Sequence, residues 1–415
     1  MEYKILKKGV KMKFDDILSY SEEIYADLLE LIKTPGPSLC CARTSNQKER
    51  SIEKFPMTRI IERIVKKYER VSNIKLLEDN GNIVLVGGLD NNDPEEDEIR
   101  DIPIVLGAHV DEVTYLVSNR TERKYKVLLP LCSAPTRRFY HKEAEILSVR
   151  DGKLETIGYG ELESKEKISV EEDGTLTMEG WKYLLRPNEK SLKKEVLPGD
   201  VVIQNYMTLK KYEGVDTIIR AKALDDRVGT IAVLYSLIFL SAEMPIKAIL
   251  AGDEEGYPRD VSWARLILPT YRRYCKNDVI TILCDGINGA DITEYTSDKT
   301  KYLSDAILLP YTADGKGGGD YRLFSLIQEK IKPIIEKNGF KIRVSTDYAS
   351  RSFDAKIMNE FPLISFIDWS NGKIGDGRFK CHYHEEVLFR QILNIIGSIV
   401  WISKYLKEKL SSIIL

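Results

Sequence analysis

The sequence predicts an α/β protein with a β-rich segment inserted into it, and two observations carry this. Helical periodicity alternates with short buried-strand runs over residues 1–113 and again over 219–415, the pattern of an α/β architecture. Over 114–218 the texture changes to short apolar segments broken by turns such as Asp151-Gly152, Asp173-Gly174 and Pro198-Gly199-Asp200, with hardly any sustained helical periodicity. The expected organisation is therefore one α/β domain, 1–113 with 219–415, and an inserted β domain, 114–218.

From Phe14 to Ile32 apolar residues recur at helical spacing, and the pattern stops at Thr34-Pro35-Gly36-Pro37, a helix followed by a breaker. A second helix is expected over Met57–Val71. Asn80-Gly81-Asn82 marks a turn before the apolar run Ile83–Val86, and Asp90–Arg100 reads as an acidic loop. Ile102–Leu106 has the length of a buried strand and runs into Gly107-Ala108-His109. After the insertion, a helix over Arg227–Ala242 leads to a strand Ile246–Ala251 that ends in Gly252-Asp253-Glu254-Glu255. A helix near Val261–Tyr274 precedes strand Val279–Cys284, which ends in Asp285-Gly286. A helix Tyr321–Lys337, strands Lys341–Ser345 and Leu363–Ile367, and a C-terminal helix complete the pattern.

At 415 residues the chain has room for a sizeable core and two domains. With 62 Lys+Arg against 64 Asp+Glu its net charge is -2, so overall charge gives no reason to expect nucleic acid or an anionic membrane as partner. The six cysteines form no C-x-x-C pair, and a disulfide framework is not expected. No apolar stretch follows Met1, so no signal peptide is expected. The uncharged run Gln391–Ser403 is shorter than the roughly 20 residues that span a bilayer. A cytoplasmic location is the resulting expectation.

The stretch Lys222-Ala223-Leu224-Asp225-Asp226-Arg227-Val228-Gly229 enters a long apolar helix through two adjacent carboxylates. One Asp suffices to cap a helix. The second directs attention to cations. Open α/β sheets bind ligands at the carboxyl ends of their strands, where the pattern places His109, Glu254-Glu255 and Asp285. Two divalent cations held about 3.5–4 Å apart need a shared anion between them, and Asp225 is the candidate bridge. In this arrangement His109 and Asp285 hold one ion and Glu255 and His382 the other. Asp111 orients the His109 imidazole, and Glu254 acts as general base. Each element has a plainer reading when taken singly: a satisfied histidine, a helix cap, a solvated turn, a strand end. The combination is what points to a dinuclear site, with two of only four histidines in fitting contexts. His141, in a basic loop of the β segment, is not expected to be a ligand.

These segments resemble the dinuclear-metal aminopeptidases that include the tetrahedral (TET) peptidases, glutamyl aminopeptidases and endoglucanase-like proteins. The matching motifs are Gly107–Val113, Lys222–Gly229, Asp253-Glu254-Glu255-Gly256 and Cys284-Asp285, in the same order, with 30 positions from Asp225 to Glu255 and 30 from Glu255 to Asp285. The resemblance implies a three-layer zinc-peptidase-like domain with a mixed sheet and a small β-barrel-like insertion. It also implies two divalent ions, zinc with cobalt or manganese as alternatives, and peptide substrates that lose their N-terminal residues. Homo-oligomers from dimers to dodecamers, built through the β domain, are implied as well.

The C-terminal match is looser. The family pairs a histidine with a carboxylate four positions on, which His382 and Glu386 satisfy, and His384 is a rival ligand. Arg351-Ser352-Phe353-Asp354-Ala355 lacks the family's Gly-Gly-Thr, and Asp368–Lys373 departs from its Pro-rich approach to the last ligand. Those changes leave open a two-metal amidohydrolase or deacylase acting on a non-peptide amide, and a catalytically weak peptide-binding or assembly homologue.

Overall fold

The computed structural model describes residues 12–38, 56–91, 93–131, 139, 141–150, 153–170, 176–208, 212–256, 266–285, 305–309, 321–344, 363–367 and 385–413. The first periodic stretch folds as two helices, α1 (Phe14–Leu18) and α2 (Ser21–Lys33), and Thr34 leaves α2 in extended conformation ahead of Pro35. Helices α3 (Pro56–Lys67) and α4 (Glu69–Ser72) precede a hairpin of β1 (Lys75–Asp79) and β2 (Asn82–Gly87). Its turn, Asn80-Gly81, has positive φ at both residues, the geometry that matches the twist of paired strands. The acidic segment expected to be a loop contains a helix, α5 (Glu96–Arg100). Its carboxylates are what build it: the Glu98 side chain accepts the Glu95 N–H at 2.9 Å, and Glu96, Asp97 and Glu98 sit at the positive end of the helix.

Strand β3 (Ile104–His109) leads into six antiparallel strands: β4 (Thr114–Glu122), β5 (Tyr125–Pro130), β6 (Glu143–Arg150), β7 (Lys153–Val170), β8 (Leu176–Pro187) and β9 (Val201–Gln204). They close into a barrel in the order β4-β5-β8-β7-β6-β9, which leaves no open sheet edge. Alternate residues, among them Tyr115, Val117, Leu128, Ile146, Leu162, Tyr183 and Val202, fill its interior.

The chain returns through β10 (Met207–Thr208) and β11 (Ile218–Ala221) to α6 (Leu224–Ser241). There follow β12 (Ile246–Ala251), α7 (Leu268–Tyr274), β13 (Ile280–Asp285) and β14 (Ala306–Leu309). Helices α8 (Tyr321–Leu326) and α9 (Lys332–Lys337) are joined by one π turn, and β15 (Ile342–Val344), β16 (Leu363–Ile367), β17 (Glu386–Leu388) and α10 (Phe389–Ile413) complete the chain. The central sheet has the order β1-β2-β12-β3-β13-β16-β14-β15, and β10-β11-β17 form a small separate sheet. Strands β12, β3, β13 and β16 are mutually parallel, while β2 and β14 flank them antiparallel, so the sheet is mixed.

The sheet separates two apolar layers. Ile104, Leu106 and Ala108 of β3 face α2, α3, α6 and α10, and the intervening Val105 faces α5 and α7. Helix α6 is buried along its whole length, as an all-round apolar helix must be, between the sheet and α10. The result is the expected three-layer α/β arrangement with a barrel attached. Among the described residues no helix is long and apolar enough to cross a membrane.

One charged group is built into the second layer. Lys247 on β12 is fully buried, and its Nζ donates to the carbonyls of Ile99 (3.0 Å), Arg100 (3.3 Å) and Tyr274 (2.6 Å), the last residues of α5 and α7. An ammonium at two helix C-termini satisfies orphan carbonyls and the negative ends of both dipoles. Burial draws its pKa down to about 8, with Cys275 opposing that shift. Lys247→Met leaves those carbonyls unpaired and is expected to lower unfolding stability by about 1–3 kcal/mol. An unfolded lysine titrates near 10.5, so between about pH 8 and 10.5 the unfolded chain holds more of this proton. The stability that Lys247 contributes therefore rises with pH across that window. Urea unfolding at pH 7.5 and 9.5 is expected to show the gap between wild type and Lys247→Met widening.

Candidate metal centre

The parallel strands bring their carboxyl ends to one rim. His109 closes β3 and pairs with Ala251, the last residue of β12, while Asp285 closes β13 opposite Ile367. The chain beyond β12 turns at Glu254-Glu255 rather than staying extended, and α6 enters the same rim at Leu224. Neighbouring backbones are drawn in closely. A Cβ on Gly36 would lie 2.4 Å from Arg227 Nη2 and 3.0 Å from the Val110 carbonyl, so any side chain there would have to displace the buried Arg227 guanidinium.

His109 is the centre of this arrangement and is buried. Its Nδ1 lies 3.3 Å from Asp111 Oδ1, and its Nε2 lies 3.4 Å from Asp225 Oδ1 and 3.7 Å from Asp285 Oδ1. Burial alone would depress its pKa, but hydrogen bonding to Asp111 and Asp225 and the charge of Glu254 hold it well above the usual histidine value. Asp111 is itself fixed from several sides. It accepts the backbone N–H of Glu254 (3.1 Å), that of Glu255 (2.8 Å) and the Ser38 hydroxyl (2.7 Å). One carboxylate thus sets both the imidazole and the turn that carries the two glutamates.

The two aspartates of the helix entrance separate in role. Neither has helical backbone angles. Asp226 Oδ1 accepts the Gly229 N–H at 2.8 Å as a cap of α6, and its Oδ2 accepts the His109 N–H at 3.0 Å. Asp225 instead turns towards His109 and Asp285. The backbone around it is held by Glu385, whose Oε2 accepts the N–H of Leu224 (2.5 Å) and of Asp225 (3.3 Å). Arg227 is fully buried, donating to the Val110 carbonyl and lying 3.7 Å from Glu112. Glu112 also pairs with Lys222 at 3.1 Å and accepts the Gly36 N–H at 2.9 Å.

Of the residues singled out in the sequence, His109, Asp111, Asp225, Glu254, Glu255 and Asp285 gather at this rim. His382, its rival His384, and the segments Arg351–Ala355 and Asp368–Lys373 lie outside the described residues. Glu386, paired with His382 by spacing, forms a 2.7 Å ion pair with Arg220, and the carboxylate at the site is its neighbour Glu385. Ser38, Glu112 and Glu385 were missed by sequence reasoning. Ser38 and Glu112 act through folding contacts with partners 73 and more residues away, which no local pattern announces. Glu385 could have been found only by knowing that the chain just ahead of β17 meets the entrance of α6.

The donor set suits divalent cations. Ligand atoms of His109, Asp225 and Asp285 lie within 4.8 Å of one another, as do those of His109, Glu254 and Glu255. An imidazole nitrogen with carboxylate oxygens is the donor chemistry of zinc and similar ions. Around them Asp225, Asp253, Glu254, Glu255 and Glu385 are each no more than 5% exposed. Among the described residues the buried cationic side chains beside them are Lys222 and Arg227, both engaged with Glu112. So many buried carboxylates carry a large desolvation cost, which cations held there would offset.

No protein-family model matches the chain, and no curated protein does. Solved structures do. A TET aminopeptidase from a marine sediment archaeon of the Thaumarchaeota superposes with a TM-score of 0.63 at 14% identity, covering 92% of this chain and 96% of that one. The chain has the fold of the TET aminopeptidases. The TET1 peptidase of Pyrococcus horikoshii, which can assemble into a tetrahedron or a large octahedral shell, matches with a TM-score of 0.60 at 15% identity over 91% of this chain and 98% of its own. An aminopeptidase from Desulfurococcus kamchatkensis gives a TM-score of 0.59 at 15% identity over 93% and 98%. These structures come from the group that the four sequence motifs resemble, and at this identity the likeness is one of fold.

Proposed function

We propose that this chain is a metal-dependent aminopeptidase that removes N-terminal residues from peptides through a two-metal site. The observation that carries the reading is that His109 belongs to two groups of close ligand atoms, one with Asp225 and Asp285 and one with Glu254 and Glu255. In this reading His109 and Asp285 would hold one ion and Glu255 and His382 the other, with Asp225 as the carboxylate shared between them. Zinc fits the donors, with cobalt or manganese as alternatives. Ions bound there would lower the pKa of a coordinated water towards ~7 and polarise the scissile carbonyl. Glu254 takes the proton of the attacking water and delivers it to the leaving amine. Asp111 keeps the His109 ring oriented and leaves Nε2 facing Asp225 and Asp285.

The barrel strands lie within the segment 114–218, which we take as an inserted domain serving assembly into homo-oligomers. Fold similarity to aminopeptidases, and to a TET1 peptidase that can assemble into a tetrahedron or a large octahedral shell, supports both parts of the reading. The test is release of free amino acids from a peptide library presented in free and N-acetylated forms to zinc-, cobalt- and manganese-loaded protein. Hydrolysis confined to free N-termini is expected. Preference for N-blocked substrates would replace the aminopeptidase reading with a deacylase, and metal-loaded protein that releases nothing would sink it.

A further inference from the structure

Asp226 caps the regular part of helix α6 through the Gly229 N–H, but Leu224 and Asp225, at the entrance of α6, lie ahead of that cap. The residue before them is Ala223, which has a positive φ of 54° and no side-chain acceptor. The first N–H groups of a helix need partners when buried, and here they find one from the far end of the chain. Glu385 Oε2 accepts the Leu224 N–H at 2.5 Å and the Asp225 N–H at 3.3 Å, with the Glu385 side chain itself buried.

Glu385 is fixed in turn. Its N–H donates to the Tyr206 hydroxyl oxygen at 2.9 Å, its carbonyl accepts the Ala221 N–H at 3.3 Å, and β17 pairs with β11 immediately beyond it. Tyr206 lies two residues beyond the barrel's last strand and stacks on His141, just ahead of β6, with ring centroids 3.6 Å apart. A small cavity between Tyr206, Gln204, Lys222, Glu385 and Asp225 joins these groups to the metal-centre carboxylate.

From this geometry we infer that Glu385 is a positioning residue for Asp225, with Tyr206 as the strut that holds it to the barrel. The inference rests on the two-metal reading above. A bridging carboxylate must present both oxygens at fixed angles, and Asp225 sits in non-helical backbone that α6 does not hold by itself. The two N–H bonds to Glu385 supply that restraint. The barrel end, the helix entrance and the C-terminal segment are thereby locked at one residue, so a displacement of any of them reaches the bridging ligand.

The experiment is zinc titration of the metal-free, full-length protein against a chromogenic chelator, with kcat and KM measured on the loaded forms. Glu385→Ala is expected to weaken zinc binding by about 10–100-fold, the usual effect of losing an outer partner of a ligand. Glu385→Gln, which keeps one acceptor oxygen, should recover part of that loss. Tyr206→Phe retains Glu385 but removes the acceptor for its N–H, and a smaller loss in the same direction is expected even if Glu385→Ala does not fold. The fall in turnover should appear in kcat at saturating zinc, with KM little changed. Wild-type zinc affinity in Glu385→Ala, or in both Glu385→Gln and Tyr206→Phe should the alanine variant not fold, overturns the inference and leaves the aminopeptidase reading standing. Wild-type protein that takes up no zinc overturns both.

Discussion

Glu254→Gln is expected to lower kcat by about 10²–10⁴-fold, the range that a positioned general base contributes, while the protein keeps its full complement of metal. The turn at Glu254-Glu255 is built by backbone bonds to Asp111 at 3.1 and 2.8 Å, which the substitution leaves intact. Gln has the same shape but cannot take the proton of the attacking water. The measurement is peptide turnover beside metal content on the same preparation. Loss of both would mean that Glu254 is a ligand and Glu255 the base. Ligand atoms of both lie within 4.8 Å of a His109 nitrogen, so proximity alone does not separate the roles and this experiment does.

Asp225→Ala is expected to have the larger effect on metal. A carboxylate shared by two ions cannot be replaced by either set of remaining ligands, and repulsion between the ions then opposes filling both positions. Occupancy of both positions should fall together, by more than the roughly 10–100-fold typical of losing an outer partner, and turnover should vanish with it. Asp226→Ala offers the contrast. Its carboxylate caps Gly229 and ties the His109 backbone at 2.8 and 3.0 Å, so its loss should appear first as reduced stability, by about 0.5–2 kcal/mol for the cap alone. Metal content and thermal unfolding of the two variants, compared side by side, separate a ligand from a cap.

The fold was largely readable where hydrophobic period and length agree. Strand runs such as Ile104–Leu106 and Ile246–Ala251 are continuous because both faces of a central parallel strand are buried, and α6 is apolar all round because it lies between sheet and helix. The reading failed where local chemistry outweighs pattern. Asp90–Arg100 is acidic enough to pass for a loop, yet its glutamates cap and polarise α5. The helices expected over Phe14–Ile32 and Met57–Val71 are each divided, at Ser19-Tyr20 and at Tyr68, where the apolar period runs on but the N–H groups of Tyr20 and Tyr68 bond three residues back, to Ile17 (2.9 Å) and Val65 (3.0 Å), instead of four.

For the candidate site, the placement of His109 and Asp285 at strand ends was legible from the length of the apolar runs, and it is the combination of such residues at one rim, not any one strand end, that marks the place. Residues that only hold others in place were not. Ser38, Glu112 and Glu385 look ordinary in sequence, and their contacts at Asp111, Arg227 and the α6 entrance come from elements far apart in the chain. Glu386, which the spacing from His382 singles out, pairs with Arg220, while Glu385, just ahead of β17, accepts the N–H groups at the helix entrance.

The central claim is that peptide hydrolysis depends on two cations held around His109 and Asp225. It is tested most directly by titrating zinc into metal-free protein while following release of the N-terminal residue from an unblocked peptide. Activity absent without metal, rising with zinc and levelling at two equivalents per chain is the predicted result. Hydrolysis undiminished in the metal-free protein, or none at saturating zinc, cobalt and manganese alike, would contradict it.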